Sequence, residues 1–522
     1  MSLSPSGMRV RRPWAWGMPR PMRGSLTAPT APQMTDASPN RCGELMSRPR
    51  GEPTPFGAGG GQLPFQGVRV AIYFLIFLLY VFSVDARVTS SYHISLLAYS
   101  SSLLNGSTRL PQDVVYRYFP TIVDVVPLDS GFIAAHSAGF VFWSLASTSI
   151  SRFIGLERGP PYFGSLFVLN ILSALVGTLS VIYVERIARL YLKPQDAVAV
   201  AFSYAVGSIA WVYSSIAYSQ SFVAPFIAIG LYYLLVYLRF GRLRHLLLTG
   251  VFYSIATYSD HTLAVLGLSV LIVIIVKKRA VPVREILSYL CCYTFLLIPV
   301  VAYYIWITGS PTPTQTLYST HLGLKPLDMS RIVLELSLTE LLFGLRKSLL
   351  ITTPALLTFS LCSFFYIKNI GSMERSELTY ALTVFLLETV LYSSWYDWHG
   401  GLSYGPRLLY SILPLLSVAA SVSLKSGNRV SLFLCLSNVG AIFNIAVIST
   451  NPFSCAYQDL IRSSVPQVIA CNLPLLTSRC YNPTLLGSLG FSCASSLLLL
   501  LSIVLVINLL LYTNYKSGRT SE

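Results

Sequence analysis

In this chain of 522 residues, 53% are hydrophobic and only 11% charged, and the mean hydropathy is +0.61, whereas a soluble domain carries roughly 25% charged residues. The formal net charge of +16 points to the Lys and Arg excess of cytoplasmic loops. It does not point to nucleic acid, because no basic, aromatic-studded domain is present. The fold class expected is an all-α polytopic membrane protein.

Residues 1–67 hold eight arginines against Asp36, Glu44 and Glu52, with stretches such as RRPWAWGMPRPMRG and FGAGGGQLPF. They contain no apolar h-region of signal-peptide length and too little apolar surface to offset their ordering entropy. A disordered, basic, Pro/Gly-rich cytoplasmic tail is expected, with Met34 or Met46 as alternative later starts. A bilayer core of about 30 Å then asks for about 20 apolar residues per helix. Runs of that kind lie near 68–84, 162–184, 197–215, 222–238, 246–259, 261–276, 286–307, 348–367, 378–394, 407–424, 429–448 and 491–512, about twelve in all. The stretch 129–150 makes thirteen if it spans, or lies as an interfacial or re-entrant helix.

Basic loops arbitrate, since short basic loops stay cytoplasmic. With twelve spans and the N-terminus inside, the loops 185–193, 239–245, 277–285, 367–377, 425–429 and 515–519 all fall inside, and each carries at least two basic residues. Both termini are then cytoplasmic. The pair 246–276 becomes a hairpin of short helices with Asp260 and His261 at its outer tip, viable if protein shields its backbone. The long first loop 85–161, the loop 308–347, the segment 395–406 and the loop 449–490 all collect outside, with His93, His136, His261, His321 and His399. An active site or a transport vestibule asks for such a gathering of ionisable groups; a structural bundle does not.

Taken in order, Asp85 follows the first span directly, as an interface charge, a helix cap or a catalytic acid. Behind it Tyr92, Leu96, Leu97, Tyr99, Leu103 and Leu104 recur at helical spacing, so 86–104 reads as an amphipathic helix lying in the interface. Residues 332–343 carry the period of a surface helix within a connection long enough to be functional. Glu388 is an intramembrane carboxylate. The stretch SSWYDWHGGLSYGPRLLYSILPLL, residues 393–416, holds Trp395 and Trp398, which suit an outer aromatic belt. That belt does not account for Asp397, His399, Gly400, Gly401, Tyr404, Gly405 and Arg407. Glycines permit tight turns and close backbone approach. An arginine at the mouth of a span either snorkels to the interface or recognises a phosphate in bidentate fashion.

An acid closing the first span, a large first outer loop and many spans together resemble the GT-C superfamily of polyprenyl-phosphate-sugar-dependent glycosyltransferases. The patterns YSQSFVAPFIAIGLYYLLVYLR (218–239), LLTGVFYSIATYSDHTLAVLGLSVLIVII (247–275), LLFGLRKSLLITTPALL (341–357) and WHGGLSYGPRLLYSILPLL (398–416) are most similar to the prokaryotic protein O-mannosyltransferase and aminoarabinose lipid A transferase group. The resemblance spans roughly 68–424, a GT-C-like catalytic region, and leaves 425–522 as C-terminal transmembrane helices with an outer Cys-containing loop. Mannosyltransferases of this kind carry an Asp-Glu pair in the first loop, whereas here Asp85 precedes Ala86.

The resemblance implies an inverting transfer of a sugar from a polyprenyl-phosphate donor to a glycan, lipid or protein acceptor at the outer face of a cell membrane, without a metal or other cofactor. Such a reaction needs a general base for the acceptor and a cation for the leaving phosphate. Asp85 is expected as base and Arg407 on the phosphate, with His399, Arg117 or Arg346 as further phosphate contacts. Asp260, His261, Asp397 and Tyr404 are expected around the substrate. The alternative is a transporter or flippase of a lipid-linked sugar, although inverted repeats are not evident. Cys291, Cys292, Cys362, Cys435 and Cys493 are expected to pack as small apolar residues. Cys455, Cys471 and Cys480 share one outer loop, where a disulfide suits an oxidising compartment. Asn105-Gly-Ser is a glycosylation sequon.

Overall fold

Apolar runs become helices here because a chain in lipid must satisfy every backbone group internally. The computed structural model describes residues 63–85, 91–110, 112–118, 124–128, 131–158, 162–277, 283–323, 337–395, 397–398, 400, 403–427, 429–450, 466–478 and 484–520, all within the unit Gly61–Glu522. The expected tail, 1–67, falls almost wholly outside the described residues.

The helices relevant to the site run as follows: α1 Leu63–Phe82, α2 Ser91–Leu104, α3 Gln112–Tyr118, α4 Ala138–Phe153, α5 Phe163–Ala188, α6 Pro194–Ala205, α7 Ala210–Ser215, α8 Ser219–Phe240, α9 Leu243–Ser259, α10 Ala264–Lys277, α11 Val283–Thr308 and α12 Thr314–His321. Then come α13 Ser337–Phe343, α14 Leu349–Thr352, α15 Pro354–Tyr366, α16 Ser372–Ser394, α17 Leu413–Gly427, α18 Val430–Ile448, α19 Leu473–Ser478, α20 Leu485–Ser488 and α21 Cys493–Thr520. Among the described residues, six segments are long and apolar enough to cross a membrane: Phe163–Ala188, Ser219–Phe240, Val283–Thr308, Arg407–Gly427, Val430–Ile448 and Cys493–Lys516. The chain is a multi-pass, overwhelmingly helical membrane protein. α5, α8 and α9 pack in sequence, and α15, α17 and α18 form a second packed group. The exposed apolar residues of α11 (Phe295, Ile298, Trp306) and α21 (Leu498, Leu505, Leu509) are the surface a bilayer would cover.

Other expected spans are shorter or interrupted, for identifiable reasons. The run 197–215 breaks into α6 and α7. At the break, Gly207 meets α18 so closely that a Cβ would sit 2.7 Å from the Ser437 carbonyl oxygen. The freed carbonyls of Val206 and Ser208 accept from Asn444 Nδ2 at 3.0 and 2.7 Å, so a buried amide replaces the missing helical bonds. The run 348–367 breaks before Pro354, which opens α15. The hairpin expected over 246–276 is present as α9 and α10, turning at Asp260 and His261.

The loop after the first helix departs most from expectation. A two-stranded antiparallel hairpin, β1 (Val125–Leu128) with β2 (Gly131–Ala134), pairs Val126 with Ile133. β2 lies inside the 129–150 stretch, and α4 takes up its residues 138–150. At 16 residues, α4 rises about 24 Å, short of a full hydrocarbon core. Nor does α2 lie on a surface: His93, Ser95, Leu96, Leu97, Ala98, Tyr99 and Ser100 are all buried. Packing against α4 and β2 encloses the polar as well as the apolar side of the helix.

Two buried ion networks fasten the end of the bundle opposite the α9–α10 turn. Glu185 on α5 accepts from Arg69 Nη2 at 2.6 Å and Tyr73 Oη at 2.7 Å, both on α1. Glu377 on α16 accepts from Arg239 Nε and Nη2 of α8, each at 2.8 Å, and from Tyr191 Oη at 2.8 Å. Both carboxylates are fully buried, a state tolerable only because hydrogen-bonded cations accompany them.

Candidate functional site

Arg407 opens a short 3-10 turn, Arg407–Ile412, that leads into α17. The preceding segment winds round it: Gly400 donates to the Asp397 carbonyl at 2.9 Å, and Ser403 Oγ to the Gly400 carbonyl at 2.6 Å. Gly400 and Gly405 both take positive φ, +68° and +60°, which L side chains adopt only under strain. A Cβ on Gly400 would stand 3.4 Å from Arg407 Cβ and 3.7 Å from its Nε. The glycines expected to permit close approach therefore approach the arginine itself; Gly401 lies outside the described residues.

The Arg407 guanidinium lies over a pair of neighbouring rings, Tyr218 at 4.5 Å and Tyr92 at 5.7 Å, whose own centroids are 4.9 Å apart. These cation–π contacts hold the guanidinium against the two rings. Its Nε is buried and has no hydrogen-bond partner, the condition of a donor awaiting an acceptor. The group lines a cavity of about 100 Å³.

Beside Arg407 and Tyr92, several distant parts of the chain line this cavity. The α9–α10 turn contributes Asp260, His261 and Thr262; α16 and the segment after it contribute Tyr392, Trp395 and Asp397; the hairpin and α12 contribute Asp124, Gln315 and Tyr318; α8 contributes Ser219 and Gln220. Asp260 is held rigidly. Its Oδ1 accepts from Thr262 Oγ1 at 2.7 Å and Thr262 N at 3.2 Å, and its Oδ2 from Tyr392 Oη at 2.9 Å. Three donors thus fix the orientation of its carboxyl group. Trp395 packs edge-on to His261 at 6.0 Å, and His261 Nδ1 is buried without a partner. Asp124, in a left-handed conformation (φ 58°), donates its amide to Tyr318 Oη at 3.3 Å, while Thr314 Oγ1 donates to the His136 carbonyl at 2.5 Å. Those two bonds seat α12 against the hairpin.

Of the residues expected from sequence, Arg407, Asp260, His261 and Asp397 thus meet at one cavity. Asp85 is not on that wall. It is 5% exposed, its backbone pairs with Thr484 near the C-terminus, and its carbonyl accepts from Asn170 Nδ2 at 2.8 Å. Asn170 Oδ1 accepts in turn from Ala217 N at 2.8 Å, and the Ala217 carbonyl from His93 Nε2 at 2.7 Å. The Asp85 backbone is thereby tied to α2 and to the start of α8, the two elements that flank Arg407. Burial draws His93 down to about 4, so it serves this relay as a neutral imidazole.

Tyr404 is buried behind the turn, its carbonyl accepting from Tyr213 Oη, and does not reach the cavity. Arg346 points elsewhere, its Nε 4.0 Å from Glu340. Arg117 sits on α3 with its side chain outside the described residues, as is His399. Among the described residues no three His, Cys, Asp or Glu side chains converge as a metal-binding group.

Sequence reasoning missed Tyr92, Tyr218, Tyr392, Asp124 and Lys347. Tyr92 was assigned to an apolar helix face, where it is instead the ring beneath Arg407. Lys347 is 7% exposed; burial lowers its ammonium to about 7, with Asp397 drawing it up and Arg407 down. The LRKS stretch carried a signal, two adjacent bases at the head of an apolar run. Cys471 and Cys493 are both disulfide-bonded, which corrects the packing role expected for Cys493; Cys291, Cys292, Cys362 and Cys435 are free.

Residues 163–306 match the family model for dolichyl-phosphate-mannose-protein mannosyltransferases. No curated protein matches the chain. Among solved structures, ArnT from Cupriavidus metallidurans bound to undecaprenyl phosphate is 10% identical over 87% of this chain and 79% of that one, with a TM-score of 0.48. The oligosaccharyltransferase AglB from Archaeoglobus fulgidus, in complex with an inhibitory peptide and a dolichol-phosphate, is 13% identical over 78% of this chain and 56% of that one, with a TM-score of 0.43. The matched segment begins with α5 and runs through the Asp260 turn almost to the end of α11, and over that segment the chain resembles the mannosyltransferase group of GT-C glycosyltransferases.

Proposed function

We propose that the chain is a GT-C-type glycosyltransferase that moves a sugar from a polyprenyl-phosphate donor to an acceptor hydroxyl or amine at the outer membrane face. The observation that carries this reading is the Arg407 guanidinium, held over the rings of Tyr218 and Tyr92 with its buried Nε unpartnered, on the wall of a cavity also lined by Asp124, Asp260 and Asp397. In an inverting displacement the acceptor atom bonds to the sugar's C1. The C1–O bond breaks with its electron pair going to the phosphate, and the acceptor's proton passes to a carboxylate. Arg407 offers the departing phosphate charge-assisted donors, and the carboxylate acts as general base.

Asp85 remains our proposed base from the sequence resemblance. Asp260 is the second candidate, favoured because it shares the Arg407 cavity and is oriented by Tyr392 and Thr262. The outer location is supported by the disulfides at Cys471 and Cys493, which suit an oxidising compartment, and by the basic loops at the opposite end. A flippase is the rival, supported by Glu388, whose two buried carboxyl oxygens have no hydrogen-bond partner; intramembrane carboxylates of that kind mark transport pathways.

The test incubates membranes containing the protein with a panel of polyprenyl-phosphate sugars and follows covalent sugar transfer. Replacing the base by Asn should reduce transfer by about 10²–10⁴-fold with donor binding kept. Loss in Asp85→Asn alone assigns that residue, and loss in Asp260→Asn alone assigns the other. Movement of an intact donor across the bilayer, with no covalent product from any sugar, would replace the transferase by the flippase.

A further inference from the structure

The C-terminal outer segment, beyond the reach of the family match, touches both segments of the proposed site from behind. Gln467 lies at the head of a single π-helical turn, Val468–Asn472, and is 1% exposed. Its amide N–H donates to the Arg346 carbonyl at 3.1 Å, and its side-chain Oε1 accepts from the Gly405 N–H at 3.4 Å. Asn472 Nδ2 donates to Thr450 Oγ1 at 2.8 Å, anchoring the turn to the end of α18. Further on, Thr484 pairs with Asp85.

Gly405 has little freedom. Its φ is +60°, and a Cβ there would stand 3.0 Å from Thr352 Cγ2 and 3.2 Å from Ile209 Cγ2. Two residues later Arg407 must deliver its guanidinium over the rings of Tyr218 and Tyr92. A displacement of Gly405 is therefore passed on to the guanidinium through one intervening residue, Pro406, whose ring fixes φ. By donating to Gln467 Oε1, the buried Gly405 amide finds the acceptor it needs. Gln467 Nε2 itself is buried without a partner, a cost that a methionine or leucine of similar size would avoid. Packing alone thus gives no reason for a glutamine at this position; its oxygen does.

We propose that Gln467 is a positioning residue for the donor phosphate: by holding the Gly405 amide it fixes the turn that presents Arg407 to the cavity. The inference rests on the reading of Arg407 as the phosphate ligand. It makes the C-terminal outer segment part of the donor site. Gln467 acts on binding of the phosphate and leaves the chemical step alone.

The experiment measures binding of undecaprenyl phosphate to the full chain in lipid nanodiscs, read by the fluorescence of Trp395 on the cavity wall, for wild type, Gln467→Met, Arg407→Ala and the double variant. Gln467→Met should weaken binding about 3- to 10-fold, the span of one neutral hydrogen bond, and Arg407→Ala more. Because Gln467 works through Arg407, the double variant should bind no more weakly than Arg407→Ala alone. Unchanged binding by a folded Gln467→Met, or an undiminished Gln467→Met effect in the Arg407→Ala background, overturns the proposal while the donor-site reading stands. Wild-type binding by Arg407→Ala overturns both. If Gln467→Met does not assemble, Gln467→Asn withdraws the oxygen by one methylene while keeping the amide, and the same ratios apply.

Discussion

Replacing Arg407 with alanine separates a phosphate ligand from an arginine that merely snorkels. A hydrogen bond to a charged group contributes about 1.5–3 kcal/mol, and each cation–π contact about 0.5–2 kcal/mol. The first belongs to the complex alone. The second holds the empty protein together through Tyr218 and Tyr92. Losing one or two phosphate bonds should therefore weaken donor binding by about 10²-fold, equivalent to about 2.7 kcal/mol. Stability should change little, because the lost ring contacts are offset by removing a buried, incompletely satisfied cation. Arg407→Lys should fare nearly as badly in binding, since an ammonium provides neither the planar fork nor the stacking of a guanidinium. The assay is titration with a polyprenyl phosphate beside a thermal melt of the same preparations. A steep fall in melting temperature with binding intact would mean that Arg407 is structural, and the argument from its unpartnered Nε would be wrong.

Lys347 titrates at about 7, so it is charged below that pH and neutral above it. Donor binding should weaken as pH rises from 6 to 8, and Lys347→Met should flatten the profile; an unchanged profile would remove Lys347 from the site's field. The sign for stability is opposite, because the unfolded chain holds this proton up to about 10.4, so Lys347 contributes stability that grows between pH 7 and 10.4, a slope that melts of the same variant should lose. Gly400→Ala puts a side chain against Arg407 at φ +68° and should cost about 1–2 kcal/mol together with donor affinity. Gly371→Ala, where nothing lies within 4 Å, is the matched control and should cost neither. For topology, single cysteines at 190 and 280 should resist an impermeant thiol reagent added outside, while one at 403 reacts; outside labelling at 190 and 280 would mean that 129–150 spans.

Much of the site was legible where the signal is local. Asp260 and His261 interrupt two apolar runs and become a turn; Gly400, Gly405 and Arg407 stand in a stretch that no aromatic belt explains. What stayed hidden depends on distant partners. The break between α6 and α7 needs Gly207 against α18 and the Asn444 amide to cap it, and nothing within 197–215 reveals either. Tyr92 and the leucines of α2 share one helical period, and only the tertiary placement of Arg407 distinguishes the ring that cages a cation from one that meets lipid. The hairpin at 125–134 is four residues per strand, too short for alternation to stand out in a loop rich in apolar residues.

The same distinction bears on the choice of base. Asp85 was chosen by its place along the chain, immediately after the first span, and place along the chain cannot say which cavity a carboxylate faces. Its backbone is now seen fixed on both sides, by Asn170 and by Thr484, whereas Asp260 has both side-chain oxygens fixed and shares a wall with the guanidinium. A base must lie within hydrogen-bond reach of the proton it takes, directly or through one water. An acceptor bound in the Arg407 cavity would have Asp260 on its wall. Asp85 meets the condition only if the acceptor approaches from the side of Thr484, which would make the C-terminal segment one wall of an acceptor path and the cavity its donor end. The two Asn variants therefore report more than the identity of one residue: they decide from which side the acceptor enters.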